Sequence, residues 1–196
     1  GEGFVAQLKD YLKRSRDKYP QKNALEVADE FFTYERMYTL ASSFSAGLTE
    51  LKIGREAKVA IWLPKSPEAY ISIFGATEHG SAFIPIDIAM PPERVNYILN
   101  DSKADVLICR AADYSASFES RLSSVKLVIL VGEESSSPVY PRCHYLRWMS
   151  FISSEYEQKQ LLQKRSNRSQ ANAMSLLSEE DAAYIFYTSG STGVPK

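Results

Sequence analysis

Apolar positions along the chain switch repeatedly between two spacings. Phe4, Leu8, Tyr11, Leu12 and Tyr19 recur at helical intervals, and Pro20 stops the pattern. Ala24–Val27 and Phe31–Tyr34 predict a hairpin around Ala28-Asp29-Glu30. Residues 35–51 predict a helix with Met37, Leu40, Ala41, Phe44, Leu48 and Leu51 on one face. Gly54 then precedes Val59-Ala60-Ile61-Trp62-Leu63, which is apolar at every position and ends at Pro64. Such a run predicts a strand buried on both faces. A helix over Pro67–His79 closed by Gly80, a strand over Phe83–Ile86 and a helix from Pro91-Pro92 to Leu99 follow. Further strands are expected over Asp105–Cys109, Leu127–Val131 and Ala182–Tyr187. Doubly apolar strands separated by helices predict an α/β fold, a mostly parallel sheet with helices on both faces. No internal repeat interrupts this order.

Two stretches break the pattern and are expected to be surface loops: the Ser/Pro-rich 133–141 and the polar 164–175. Composition changes little. The chain of 196 residues is 44% hydrophobic and 24% charged, which excludes a collagen, a low-complexity tail and a wholly disordered chain. Its net charge of -1 gives no footprint for nucleic acid, and Lys164, Arg165 and Arg168 are expected to be solvated loop charges. The basic helix over residues 4–19 is expected to pack on its own domain, not on a membrane.

No apolar run reaches the roughly 20 residues of a membrane span. Cys109 and Cys143 make no disulfide framework, and the first residues show no secretory leader, so a cytoplasmic protein is expected. Cys109 is expected in the core and Cys143 in a loop. Trp62 and Trp148 sit in apolar surroundings and are expected in the core. His79 and His144 have no acidic or cysteine partner at ligand spacing, so neither is expected to bind metal. The sequons at Asn100 and Asn167 are expected to be coincidental.

The chemistry gathers in the last residues. An apolar segment, Tyr184-Ile185-Phe186-Tyr187, runs into Thr188-Ser189-Gly190-Ser191-Thr192-Gly193-Val194-Pro195-Lys196. Gly190 and Gly193 permit positive φ and let backbone N–H groups approach an anion. The four hydroxyls donate hydrogen bonds, and Lys196 adds a point charge suited to phosphate. The spacing is neither G-x-x-x-x-G-K-[ST] nor G-x-G-x-x-G, so neither an NTPase P-loop nor a dinucleotide fingerprint is present. Chemistry alone leaves two readings open: a phosphate-gripping loop, or a Ser/Gly-rich turn between strands.

The ten residues Tyr187–Lys196, YTSGSTGVPK, resemble the phosphate-loop signature of the adenylate-forming enzymes. That superfamily comprises acyl-CoA synthetases, the adenylation domains of nonribosomal peptide synthetases, and firefly luciferase. Gly80–Asp87, Pro91-Pro92-Glu93-Arg94 and Asp101-Ser102 are similar to a peptide-synthetase block, G-x-x-Y-V-P-[IL]-D…P-x-E-R…D-S. Phe32-Thr33-Tyr34-Glu35 is similar to the early T-Y-x-E-L block, departing from it at Arg36-Met37.

The resemblance implies an ATP- and Mg2+-dependent ligase acting in two halves. A small carboxylic or amino acid attacks the α-phosphate, giving an acyl-adenylate and pyrophosphate. The thiol of CoA or of a carrier's phosphopantetheine then takes the acyl group. Thr188, Ser189, Gly190, Ser191, Thr192, Gly193 and Lys196 match the family loop and inherit the grip on the β- and γ-phosphates. Pro85, Asp87 and Arg94 match a block expected to be structural. No catalytic side chain and no metal ligand is assigned within the chain.

The same resemblance puts the carboxylate-, adenine- and ribose-binding segments and the catalytic lysine beyond residue 196. Residues 1–196 are therefore expected to be the N-terminal part of an adenylation domain, cut just after the phosphate loop, with a carrier domain possible downstream. The alternative is a non-catalytic nucleotide-binding or regulatory module derived from the family. The isolated 196-residue polypeptide is expected to give only background ATP–pyrophosphate exchange across a panel of amino and carboxylic acids. Acid-dependent exchange would show that these residues suffice.

Overall fold

The structure is a computed structural model that describes residues 2–132 and 143–152. Helix α1 (Glu2–Lys18) leads to a hairpin, β1 (Asn23–Val27) and β2 (Glu30–Thr33), and then to α2 (Tyr34–Glu50). The alternating part follows: β3 (Lys58–Trp62), α3 (Pro67–His79), β4 (Ala82–Ile86), α4 (Pro92–Ser102) and β5 (Val106–Arg110). A 3₁₀ turn at Ala111–Asp113, α5 (Ala116–Ser120), β6 (Leu127–Val131), β7 (His144–Arg147) and α6 (Trp148–Ile152) complete the described chain. The five strands from β3 to β7 form one sheet in the order β4-β3-β5-β6-β7, parallel at every pairing.

The α/β expectation holds, and the reason is visible in the side chains. Val59 and Ile61 of β3, Val106 and Ile108 of β5, and Leu127 and Ile129 of β6 enter one core with α1, α2, α3 and α6. Their neighbours Ala60, Trp62, Leu107, Cys109, Val128 and Leu130 enter a second core beneath α4 and α5. Because a strand's side chains alternate, a strand apolar at every position needs cover on both faces.

Local signals set the boundaries. Thr33 caps α2 by accepting the Arg36 N–H at 3.1 Å, so Tyr34 opens the helix where a last strand residue was expected. Ser66 caps α3, Pro67 occupies its first turn, and Gly80 ends it at φ 84°, a left-handed conformation that favours glycine. Helix α1 stops at Lys18, leaving Tyr19 outside it, while Leu8 and Leu12 are buried as their spacing predicts. The expected loops at 133–141 and 164–175 and the expected strand at 182–187 fall on or run into residues outside those described.

On the first face, α2 and α3 cross in close contact. A Cβ built on Gly75 of α3 would run into the Cβ and Cγ of Phe44 on α2. Phe44 in turn meets Phe151 of α6 edge-to-face, with ring centroids 5.1 Å apart, and a Cβ on Gly47 would fall 2.7 Å from that Phe151 ring. Two glycines thus make room for two rings, and α6 is held against α2. Trp62 and Trp148 are buried as expected.

The second core holds polar groups as well. Tyr114 and Glu119 are both buried, and the Tyr114 hydroxyl donates to the Glu119 carboxylate at 2.8 Å. Cys143 lies in the connection just before β7, as its sequence setting predicts, and it is buried there, donating to the Val125 carbonyl at 3.4 Å. Cys143 immediately precedes β7, a strand too short and too polar to stand out in the sequence, and the start of that strand draws the thiol under the sheet. Burial pushes the Cys109 thiol and the Tyr114 hydroxyl well above their ordinary values. Tyr34, desolvated and hydrogen-bonded to Tyr11, is pushed up too.

Gly75→Ala should cost about 1–3 kcal/mol by overpacking against Phe44, read as a lower urea midpoint with an unchanged slope. Neither thiol should react with an aromatic disulfide reagent in native buffer, and both should react in denaturant. The acids with raised values are neutral when folded, so their contribution is complete below the unfolded values. It is lost with rising pH, from about 8.5 for Cys109 and about 10 for the tyrosines. Thermal melts between pH 7 and 11 should therefore show falling stability over that window.

Candidate functional site

Helices α3 and α4 lie on opposite faces of the sheet, and this fixes where the chain diverges. Strand β3 is followed by α3 on the first face and returns as β4 on one side. Strand β5, its other neighbour, is followed by α5 on the second face. The chain therefore leaves β3 and β5 in opposite directions at their carboxyl ends. In open α/β sheets that divergence is where ligands bind.

Three connections leave the carboxyl ends of β3, β5 and β4. After β3 come Leu63, Pro64, the exposed Lys65 and Ser66. Ser66 donates to the Pro64 carbonyl at 2.9 Å and accepts the Ala69 N–H, so its hydroxyl is fully used in opening α3. After β5, Arg110 Nε donates to Asp113 Oδ2 at 2.6 Å, and a second guanidinium nitrogen reaches Oδ1 at 3.3 Å. That pairing with Asp113 raises the Arg110 value further above its ordinary range, keeping it charged. After β4, Asp87 Oδ1 accepts the Ala89 N–H at 2.8 Å and its carbonyl accepts the Met90 N–H, which makes a tight turn into Pro91 and α4. Trp62, the last residue of β3, is buried and stacked on Phe118, with ring centroids 5.5 Å apart.

The block from Gly80 to Ser102 turns out to be chain geometry. Gly80 supplies a left-handed cap, Pro85 lies in the edge strand β4, Asp87 makes the turn and Pro91-Pro92 starts α4. Arg94 lies over the Tyr97 ring at 4.9 Å, and the buried Ser102 donates to the Leu99 carbonyl. The Asn100 side chain bonds the Arg121 carbonyl at 2.8 Å and accepts from Ser123, which ties α4 to the α5–β6 connection.

The expected phosphate-loop residues, Thr188 to Gly193 and Lys196, lie outside the described residues. Among the described residues no group of three or more His, Cys, Asp and Glu gathers at metal-binding distance. His79 is occupied structurally: its Nε2 donates to the Ile53 carbonyl at 2.9 Å, and Nδ1 lies 3.4 Å from Thr49 Oγ1. Among the described residues no helix is long and apolar enough to cross a membrane. Sequence reading missed the Arg110–Asp113 clamp and the Tyr114–Glu119 pair. The clamp is an Arg-x-x-Asp at the end of an apolar strand, an i,i+3 ion pair that inspection of strand ends would have found.

The family profile described as AMP-binding enzyme matches residues 12–196. Tyrocidine synthase 3 of Brevibacillus parabrevis is 31% identical over 189 residues, covering 96% of this chain and 2% of that protein. An L-proline--[L-prolyl-carrier protein] ligase of Pseudomonas fluorescens is 27% identical over 189 residues, covering 96% of this chain and 33% of that protein. Among solved structures, an anthranilate CoA ligase in complex with anthranoyl-AMP superposes with a TM-score of 0.65 at 24% identity, over 74% of this chain and 27% of that one; the likeness is one of fold. The chain spans a third or less of the length of each of these proteins. With the doubly covered parallel sheet and a match over residues 12–196, the chain belongs to the AMP-binding enzyme family.

Proposed function

We propose that this chain is the N-terminal part of a ligase that activates a carboxylic or amino acid as its adenylate, with residues 188–196 gripping the β- and γ-phosphates of ATP. The observation that carries the reading is the run Thr188-Ser189-Gly190-Ser191-Thr192-Gly193-Val194-Pro195-Lys196 directly after an apolar segment, in a chain whose residues 12–196 match the AMP-binding enzyme family. In the first half-reaction an oxygen of the substrate carboxylate bonds to the α-phosphorus of MgATP. The bond from that phosphorus to the bridging oxygen breaks, and pyrophosphate leaves with the electron pair. Mg2+ enters with the nucleotide as part of the substrate.

The task of the loop is positioning and charge neutralisation, not proton transfer. Hydroxyls of Thr188, Ser189, Ser191 and Thr192 donate to phosphate oxygens, Gly190 and Gly193 let backbone N–H groups come close, and the Lys196 ammonium balances the charge that grows on the leaving group. In the second half-reaction a thiol attacks the acyl carbon and AMP departs. The names of the relatives offer two acceptors, a carrier protein and CoA. The better-matched relatives are peptide synthases, which favours a carrier's phosphopantetheine here.

The test uses an active protein that carries this chain. Lys196→Ala removes a charge-assisted contact worth about 1.5–3 kcal/mol, so acid-dependent ATP–pyrophosphate exchange should fall roughly 10- to 150-fold. Because the contact tightens as pyrophosphate departs, the loss should appear in the adenylation rate and not only in ATP affinity. Thioester formation from a pre-formed adenylate should be nearly unchanged, since no triphosphate remains to be held. Equal slowing of both halves would overturn the role given to the loop. Nucleotide binding that survives intact, with no adenylate made by the unsubstituted protein from any acid, would favour a regulatory module.

A further inference from the structure

We draw no further inference here: the strongest candidate, the exposed Lys65 beside the amino end of α3 together with Arg110 at the carboxyl end of β5, belongs to the site already described, where Arg110 is already paired with Asp113.

Discussion

Strand β3 is the constraint from which the rest follows. It lies inside the sheet, paired to β4 on one side and β5 on the other, and Val59 to Trp62 are almost wholly buried. Each parallel pairing requires a crossover connection, and each face of β3 requires cover. Placing α3 on one face and α4 on the other meets both demands with right-handed connections. The divergence of the chain at the carboxyl ends of β3 and β5 is a by-product of that solution. That divergence is therefore a consequence of how an interior strand is buried, and it is set before any ligand chemistry is placed around it.

The two faces are stabilised differently. The first core is large and aromatic, and it depends on close approach: Gly75 admits Phe44, Gly47 admits Phe151, and Phe44 and Phe151 meet edge to face. Small residues at helix crossings exchange side-chain area for proximity, and neighbouring rings recover that area. The second core is thinner and carries buried polar groups held by hydrogen bonds: Tyr114 to Glu119, Asn96 to the Phe118 carbonyl and Cys143 to the Val125 carbonyl. Short elements such as α5 hold their place through those bonds, because an isolated five-residue helix has no stability of its own.

This contrast explains what could be read in advance. Elements built on continuous apolar runs or on a strong helical face, namely β3, α3, β5, β6 and α2, are legible to within a few residues. Hydrophobic periodicity is a direct record of burial. The turn before α4 is legible because Asp87 and the two prolines act locally. What escapes reading is whatever depends on distant partners. The short α5, the strand β7 and the burial of Cys143 have weak local patterns and exist through contacts made across the sheet. Tyr34 shows a competition decided locally: strand propensity yields to the Thr33 cap one residue earlier. For the site the position is reversed. The proposed phosphate chemistry rests on Thr188–Lys196, a dense local motif that lies outside the described residues.

The charges at the carboxyl ends of β3 and β5 are largely engaged within the scaffold. Arg110 is clamped by Asp113, so its charge is largely spent within the chain. The first turn of α3 carries Glu68, and its capping hydroxyl is engaged by the helix itself, which lowers the attraction that a helix amino end would otherwise offer to phosphate. A triphosphate brings several negative charges, and where water is excluded each needs a donor or a cation. The described scaffold supplies few, since it has used its polar groups to hold its own turns. A separate, donor-dense and glycine-rich segment can bring hydroxyls, N–H groups and an ammonium to a site without disturbing the sheet beneath it.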